Sequence, residues 1–218
     1  MKILNLYACL GGNRYKWDEV AKEANIEIEV TAVELDEEAA RLYQERFPND
    51  KVIVADAHQY LLDHYKEFDF IWSSPPCPTH SRFQTSMKTI RKMEYPDMKL
   101  YQEIIFLDNF FEGKYCVENV IPFYEPLVPA QKRGRHLYWT NFNLPTNLNE
   151  RKNPDLAREK DLINSLSKFH DYDFRKYKGK QSVQKMARNL VDYEAGRTIF
   201  EIALGIVSKK DSNQIELF

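Results

Sequence analysis

Cys77 lies in the stretch SSPPCPTHS, residues 73–81, directly behind an apolar run, Phe68-Asp69-Phe70-Ile71-Trp72, that reads as a buried strand. A thiol attacks well only as thiolate, and a helix N-terminus or a basic neighbour lowers its pKa. Pro75 and Pro76 stiffen the loop and could aim the sulfur at a substrate. The plainer reading is a rigid turn whose small thiol packs away, as most lone cysteines do; the strand-end position and the two prolines favour the nucleophile. A second stretch, YCVENV at 115–120, ends a strand in Glu118-Asn119. An acid there is desolvated, which raises its pKa, so Glu118 could carry a proton at neutral pH and give it to a ring nitrogen. Capping the chain that enters Ile121-Pro122 is the alternative. In QKRGRHLYW, 131–139, Gln131, Arg133 and Arg135 alternate at period two, which predicts one strand face carrying all three. Such a face suits phosphate and carbonyl oxygens, or is a solvated edge strand.

These groups need a scaffold, and the first part of the chain supplies an alternation of strand-like and helix-like segments. Strands are predicted at Ile3–Ala8, Ile28–Val33, Val52–Ala55, Phe68–Trp72 and Tyr115–Val117. Helices are predicted at Arg14–Ala24, Asp36–Phe47, Gln59–Lys66 and Ile104–Phe111. That βαβα rhythm predicts an α/β fold with a doubly wound, mostly parallel sheet, whose ligands bind outside the carboxyl ends of the strands. The first strand runs through LNLYACLGGNRY into a Gly11-Gly12 turn, where glycine would let the backbone approach a ligand and a following helix would offer N–H groups. VELD carries Glu34 and Asp36 to the next strand tip, and VADA carries Asp56 to the third. An acid about 20 residues beyond a glycine turn is the usual partner of ribose hydroxyls. Singly each acid is an ordinary helix cap or solvated residue; together they point to an adenosine-containing cofactor.

The chain has 218 residues, enough for one domain with a small appendage, and a net charge of -2, so any nucleic-acid contact must be local. Its three cysteines, Cys9, Cys77 and Cys116, form no CxxC pair and suggest neither a disulfide framework nor a zinc site; a reducing cytoplasm fits. The apolar start up to Leu10 lacks a small-residue cleavage site and is not read as a signal peptide. No apolar stretch is long enough to span a membrane. The expected units are a core over 1–139, a short variable segment over 140–186 with a helix near Leu156–Phe169, a returning helix over 187–207, and a tail over 208–218.

The ordered set resembles the C5-cytosine DNA methyltransferases, which use S-adenosyl-L-methionine. LYACLGG is similar to their first motif, PPC to the Pro-Cys loop, ENV to Glu-Asn-Val and QKRGR to Gln-x-Arg-x-Arg; ARNLVDYEAGRTIFEIAL, 187–204, is similar to the last motif. The resemblance implies a Rossmann-like methyltransferase with Cys77, Glu118, Asn119, Arg133 and Arg135 in catalysis. It implies cofactor contacts from Tyr7, Ala8, Leu10, Gly11, Gly12, Glu34, Leu35, Asp56, Ala57, Pro75 and Asn189. Arg133 and Asn119 would brace the nucleophile loop, and Arg135 would sit near the base or the thiolate. The sequence departs from the family at Cys9, where glycine is usual, and at Pro78, where glutamine is usual. Residues 140–186 are far shorter than a usual target recognition domain, which implies relaxed specificity or a specificity partner, and the compact layout resembles a phage-borne member.

DNA contacts are expected from Arg82, Lys88, Arg91 and Lys92, and from the stretch Arg175–Arg188, which holds six basic residues, Lys178 and Lys180 among them, and no acidic one. A solvated face would have the same composition. The closing QIELF resembles the short peptides that bind the bacterial sliding clamp, with Gln214, Leu217 and Phe218 as contacts, or else packs on its own domain. The same covalent chemistry on RNA or on a free pyrimidine nucleotide, and a non-catalytic cofactor- or DNA-binding subunit, remain as rival readings.

Overall fold

Residues at alternate positions along each strand go to opposite layers, and this builds the molecule. In β1 (Lys2–Leu6) Ile3 joins one buried cluster, and Leu4 and Leu6 another; in β4 (Phe70–Ser73) Phe70 and Trp72 join the first and Ile71 the second. Both faces are apolar, as a parallel sheet covered on both sides requires. The computed structural model describes residues 1–86, 90, 92–152, 154 and 161–206. Within them the sheet has seven strands in the order β3-β2-β1-β4-β5-β7-β6. β2 (Glu29–Glu34), β3 (Lys51–Val54), β4 and β5 (Lys114–Val120) join β1 in parallel, while β7 (His136–Thr140) runs antiparallel between β5 and β6 (Gln131–Arg133). This is the expected α/β fold with a mostly parallel sheet. Among the described residues no helix is long and apolar enough to cross a membrane.

One layer packs α3 (Ala57–His64) and α5 (Lys99–Phe110) through Leu61, Ile104 and Leu107; α4 (Phe83–Ser86) is a single turn in the connection between β4 and α5. The other layer packs α1 (Trp17–Glu23) and α8 (Tyr193–Ala203), with Trp17 ringed by Phe70, Trp72 and Phe200 at centroid distances of 5.2–6.0 Å. A third cluster joins α2 (Glu37–Arg46) to α6 (Leu162–His170) and α7 (Val183–Arg188) through Ala39, Leu42, Leu166, Phe174, Tyr177 and Met186. The late segment therefore docks beside the first glycine turn. Arg151 anchors it: the guanidinium binds Asp192, the N-cap of α8, and the Phe169 carbonyl, and lies over the Tyr193 ring.

Several sequence-level boundaries shift for identifiable reasons. α1 begins at Trp17 rather than Arg14, because Asn13 and Arg14 are buried side chains bonded to Asn5 and Asp50, which keeps residues before Lys16 in turns. No helix N-terminus therefore follows the glycine turn directly. β5 runs to Val120, three residues past the expected end, because β7 pairs Glu118, Asn119 and Val120 with Tyr138, Leu137 and His136. α5 starts at Lys99, earlier than Ile104. α6 spans Leu162–His170; the earlier part of the expected helix, residues 156–160, lies outside the described residues. The expected boundary at 186/187 falls inside α7.

Candidate active site

The Cys77 loop leaves β4 at Ser73 and turns tightly over Cys77, whose carbonyl accepts from both His80 N and Ser81 N at 3.0 Å. Pro75 is buried and Pro76 exposed, so one proline is the anchor and the other the outer wall. Asn119 reaches from β5 and donates Nδ2–H to the Pro75 carbonyl at 2.9 Å. Thr79 and His80 act as braces: Thr79 Oγ1 accepts from Asp97 N at 3.0 Å, and His80 Nδ1 meets the Tyr124 hydroxyl. Cys77 is half-buried. Burial, and then the charge of Glu118, push its thiol up to about 11, with Lys185 of α7 opposing. Desolvation and the neighbouring Glu118 thus outweigh the nearby Lys185.

Glu118 and Asn119 are both buried within β5. His136 Nε2 lies 3.6 Å from Glu118 Oε1, and His136 Nδ1 lies 3.9 Å from Glu150 Oε1. Burial alone would lower the His136 pKa, but Glu118 and Glu150 outweigh it and raise it. Gln131, Arg133 and Arg135 do not share a strand face. β6 stops at Arg133, Gly134 takes φ +51°, and Arg135 sits exposed in the turn of a β6–β7 hairpin. Gln131 donates Nε2–H to Thr140 Oγ1 and the Phe142 carbonyl. The Arg133 guanidinium caps the Leu144 and Pro145 carbonyls, so it braces the chain after β7 and not the nucleophile loop.

At the other strand tips, Glu34 Oε2 accepts from Cys9 N at 2.8 Å and Oε1 from Asp36 N at 2.9 Å; burial raises its pKa despite these bonds. Asp36 caps α2 and also accepts from the Tyr177 hydroxyl and Gln181. Asp56 caps α3, is exposed, and lies 3.5 Å from Lys99 Nζ. Leu35 is 69% exposed and Val54, the register neighbour of Glu34, 52%. Tyr7 is half-buried and donates its hydroxyl to Glu103; Ala8, Leu10, Gly11, Gly12 and Ala57 are buried, and Asn189 is exposed at the C-cap of α7. The glycines serve the chain's own packing. A Cβ at Gly11 would come within 2.3 Å of Phe47, and at Gly12 within 2.4 Å of the Val191 carbonyl.

Arg82, Lys92, Lys178 and Lys180 are exposed. Lys88, Arg91, Gln214, Leu217 and Phe218 lie outside the described residues. Sequence reasoning missed His136, Glu150 and Val54, and placed Lys185 only in a general basic stretch. His136 stands beside Arg135 in QKRGRHLYW without a pattern that singles it out, and nothing local links Glu150 to Glu118.

The C-5 cytosine-specific DNA methylase family matches residues 1–121, which include the Cys77 loop and Glu118-Asn119. The chain belongs to this family. The methylase match ends before the hairpin that carries Arg133 and Arg135. A DNMT2 variant from Spodoptera frugiperda is 26% identical over 55% of this chain and 35% of its own, with TM-score 0.41. The methyltransferase EhMeth of Entamoeba histolytica is 14% identical over 64% of this chain and 52% of its own, with TM-score 0.42. TrmN from Thermus thermophilus is 17% identical over 55% and 33%, with TM-score 0.37. The aligned part of this chain thus spans about a third of the DNMT2 structure. No curated protein matches.

Proposed function

We propose that this protein transfers a methyl group from S-adenosyl-L-methionine to C5 of cytosine in DNA, through a covalent bond between Cys77 and C6. The observation that carries the reading is the joint of the two family motifs: Asn119, beside Glu118, holds the carbonyl of Pro75, two residues before Cys77. Cytosine C5 is too poor a nucleophile to be methylated directly. Attack of the Cys77 sulfur on C6, its thiol proton passing to water, makes C5 enamine-like, and a proton from Glu118 to N3 neutralises the charge entering the ring. The cofactor, when bound, supplies an electrophilic methyl group. Leu35 and Val54 would face its adenine and Glu34 its ribose; Asp56 would take the adenine amine, and the chain from Tyr7 to Gly12, Ala57, Pro75 and Asn189 would frame the rest. A base then removes the C5 proton and Cys77 departs. In a duplex the cytosine must first leave the stack to meet these groups. Arg82, Arg135, Lys178 and Lys180 would hold phosphates, giving salt-dependent binding with little sequence information. QIELF at the end of the chain would tether the enzyme to a sliding clamp, and a specificity partner would supply what the short segment lacks.

The test is a duplex containing 5-fluorocytosine, incubated with tritiated S-adenosyl-L-methionine. Fluorine blocks the last elimination, so a labelled protein–DNA adduct is expected, and none with Cys77→Ser. An adduct with RNA alone would make the substrate RNA. No adduct with any polymer, alongside measurable cofactor binding, would overturn the reading.

A further inference from the structure

Glu118 needs a source for its proton, and the antiparallel half of the sheet holds one. Glu118 pairs with Tyr138 and Val120 with His136 across β5 and β7, so His136 is the diagonal neighbour of Glu118 on one face of the ladder. Glu150 enters from the chain after β7 and closes the other side of the imidazole. Its Oε1 accepts from the Tyr138 hydroxyl at 3.2 Å. The hairpin turn is shaped around it: a Cβ at Gly134 would fall 2.2 Å from Glu150 Oε2. His136 Nδ1 is buried with no hydrogen-bond partner in this arrangement, so the ring is held by its two carboxylates and by packing.

We propose that His136 is the positioning residue of Glu118: its imidazolium bridges Glu118 and Glu150, fixes the Glu118 carboxyl, and stores the proton that Glu118 delivers to the substrate ring. The proposal rests on the reading of Glu118 as the proton donor. The His136 Nε2–H bond breaks and a Glu118 O–H bond forms as Glu118 gives its proton to cytosine N3. When Cys77 leaves, N3 returns a proton through Glu118 to Nε2. The cycle moves one proton each way and no electrons. The groups that face His136 are Glu118 from β5, Glu150 from the following chain, Tyr138 from its own strand, and Arg135 from the turn. Both carboxylates favour the charged ring, Arg135 opposes it, and Tyr138 stays neutral, its ionisation pushed far up by burial and by the same two acids.

A pH titration of the His136 ring protons by NMR, on the whole protein without substrate, reads the bridge directly. The midpoint should lie above the ordinary 6.5. It should fall by roughly one pH unit in Glu118→Gln and by less in Glu150→Gln, as expected when an adjacent opposite charge is removed. A midpoint at or below the ordinary value, or one unmoved by Glu118→Gln, overturns the proposal. Kinetics separate this role from a structural one. His136→Gln should keep cofactor affinity within about twofold while kcat falls roughly ten- to hundredfold, the size of a general acid–base contribution. The alkaline fall in kcat should disappear with it. An unchanged kcat and pH profile would sink the proposal. If the wild type methylates no cytosine substrate, the functional reading fails by itself, and the titration still decides whether His136 bridges the two acids.

Discussion

The turns after β1 and β4 each carry a cysteine at the carboxyl edge of the sheet, yet they are built in opposite ways. Cys9 sits at φ +48°, a conformation that favours glycine, with its sulfur against Met186 of α7 and its amide on Glu34. Glycine is wedged on one side of it against Phe47 and Val191, and the Arg14–Asp50 pair, each side chain 3% exposed, locks the outgoing chain. The Cys77 turn has ordinary backbone, one buried proline, side-chain bonds from Asn119 and Gln84 to the Pro75 and Pro78 carbonyls, and an edge left open to solvent. Both thiols are pushed up by burial and a nearby glutamate, Glu34 for Cys9 and Glu118 for Cys77. Both thiols are partly exposed, so their settings distinguish them: the Cys9 sulfur lies against Met186, and Cys77 sits beside Glu118 with Lys185 opposing. The first turn is a joint between layers, and the second is a platform.

Substitution should separate them by orders of magnitude. Cys77→Ser is expected to lower methyl transfer by at least about a thousandfold, since a hydroxyl cannot replace the thiolate, whereas Cys9→Ser should stay within about threefold. A filter assay with labelled cofactor checks both, and comparable losses would erase the distinction drawn between the turns. The next largest effect should come from the joint. Arg14 Nε and Nη2 bind the Asp50 carboxylate at 3.0 and 2.9 Å, and Tyr43 donates to the same group at 2.9 Å. Burial alone would lower the Arg14 pKa, but Asp50 and Asp18 hold it above the usual arginine range. Arg14→Met leaves Asp50 buried beside one hydroxyl and should cost about 3–5 kcal/mol in urea unfolding, the cost of breaking a buried pair. A loss under 1 kcal/mol would mean that the pair is not what locks the turn. The smallest change is expected at Cys9 itself. Cys9→Gly relieves a left-handed conformation costing about 1–2 kcal/mol but forfeits a similar amount of buried packing, so stability should move by less than about 1 kcal/mol.

The strands and the candidate chemistry were legible because each rests on a local signal. A buried parallel strand needs a short apolar run, and a stiff nucleophile loop needs prolines beside its thiol; both are contiguous in FIWSSPPC. Glu118-Asn119 was legible for the same reason, although its strand runs three residues further than its apolar stretch suggests. Cap chemistry at Asp36 was readable too, from an acid placed directly before a helical run. The face of Gln131, Arg133 and Arg135 was misread because alternation assumes a continuous strand, and Gly134 turns the chain between the second and third.

By itself, then, the sequence determined the layered α/β fold, the order of its motifs and the candidate side chains, because periodicity, turn residues and strand ends act over a few residues. Tertiary structure decided what those side chains feel. Tyr177 reaches Asp36 across 141 positions and Met186 reaches Cys9 across 177. The imidazole of His136 has its pKa raised by acids on two other segments. Burial and Coulomb interaction depend on distance in space, and that distance exists only once the chain has folded.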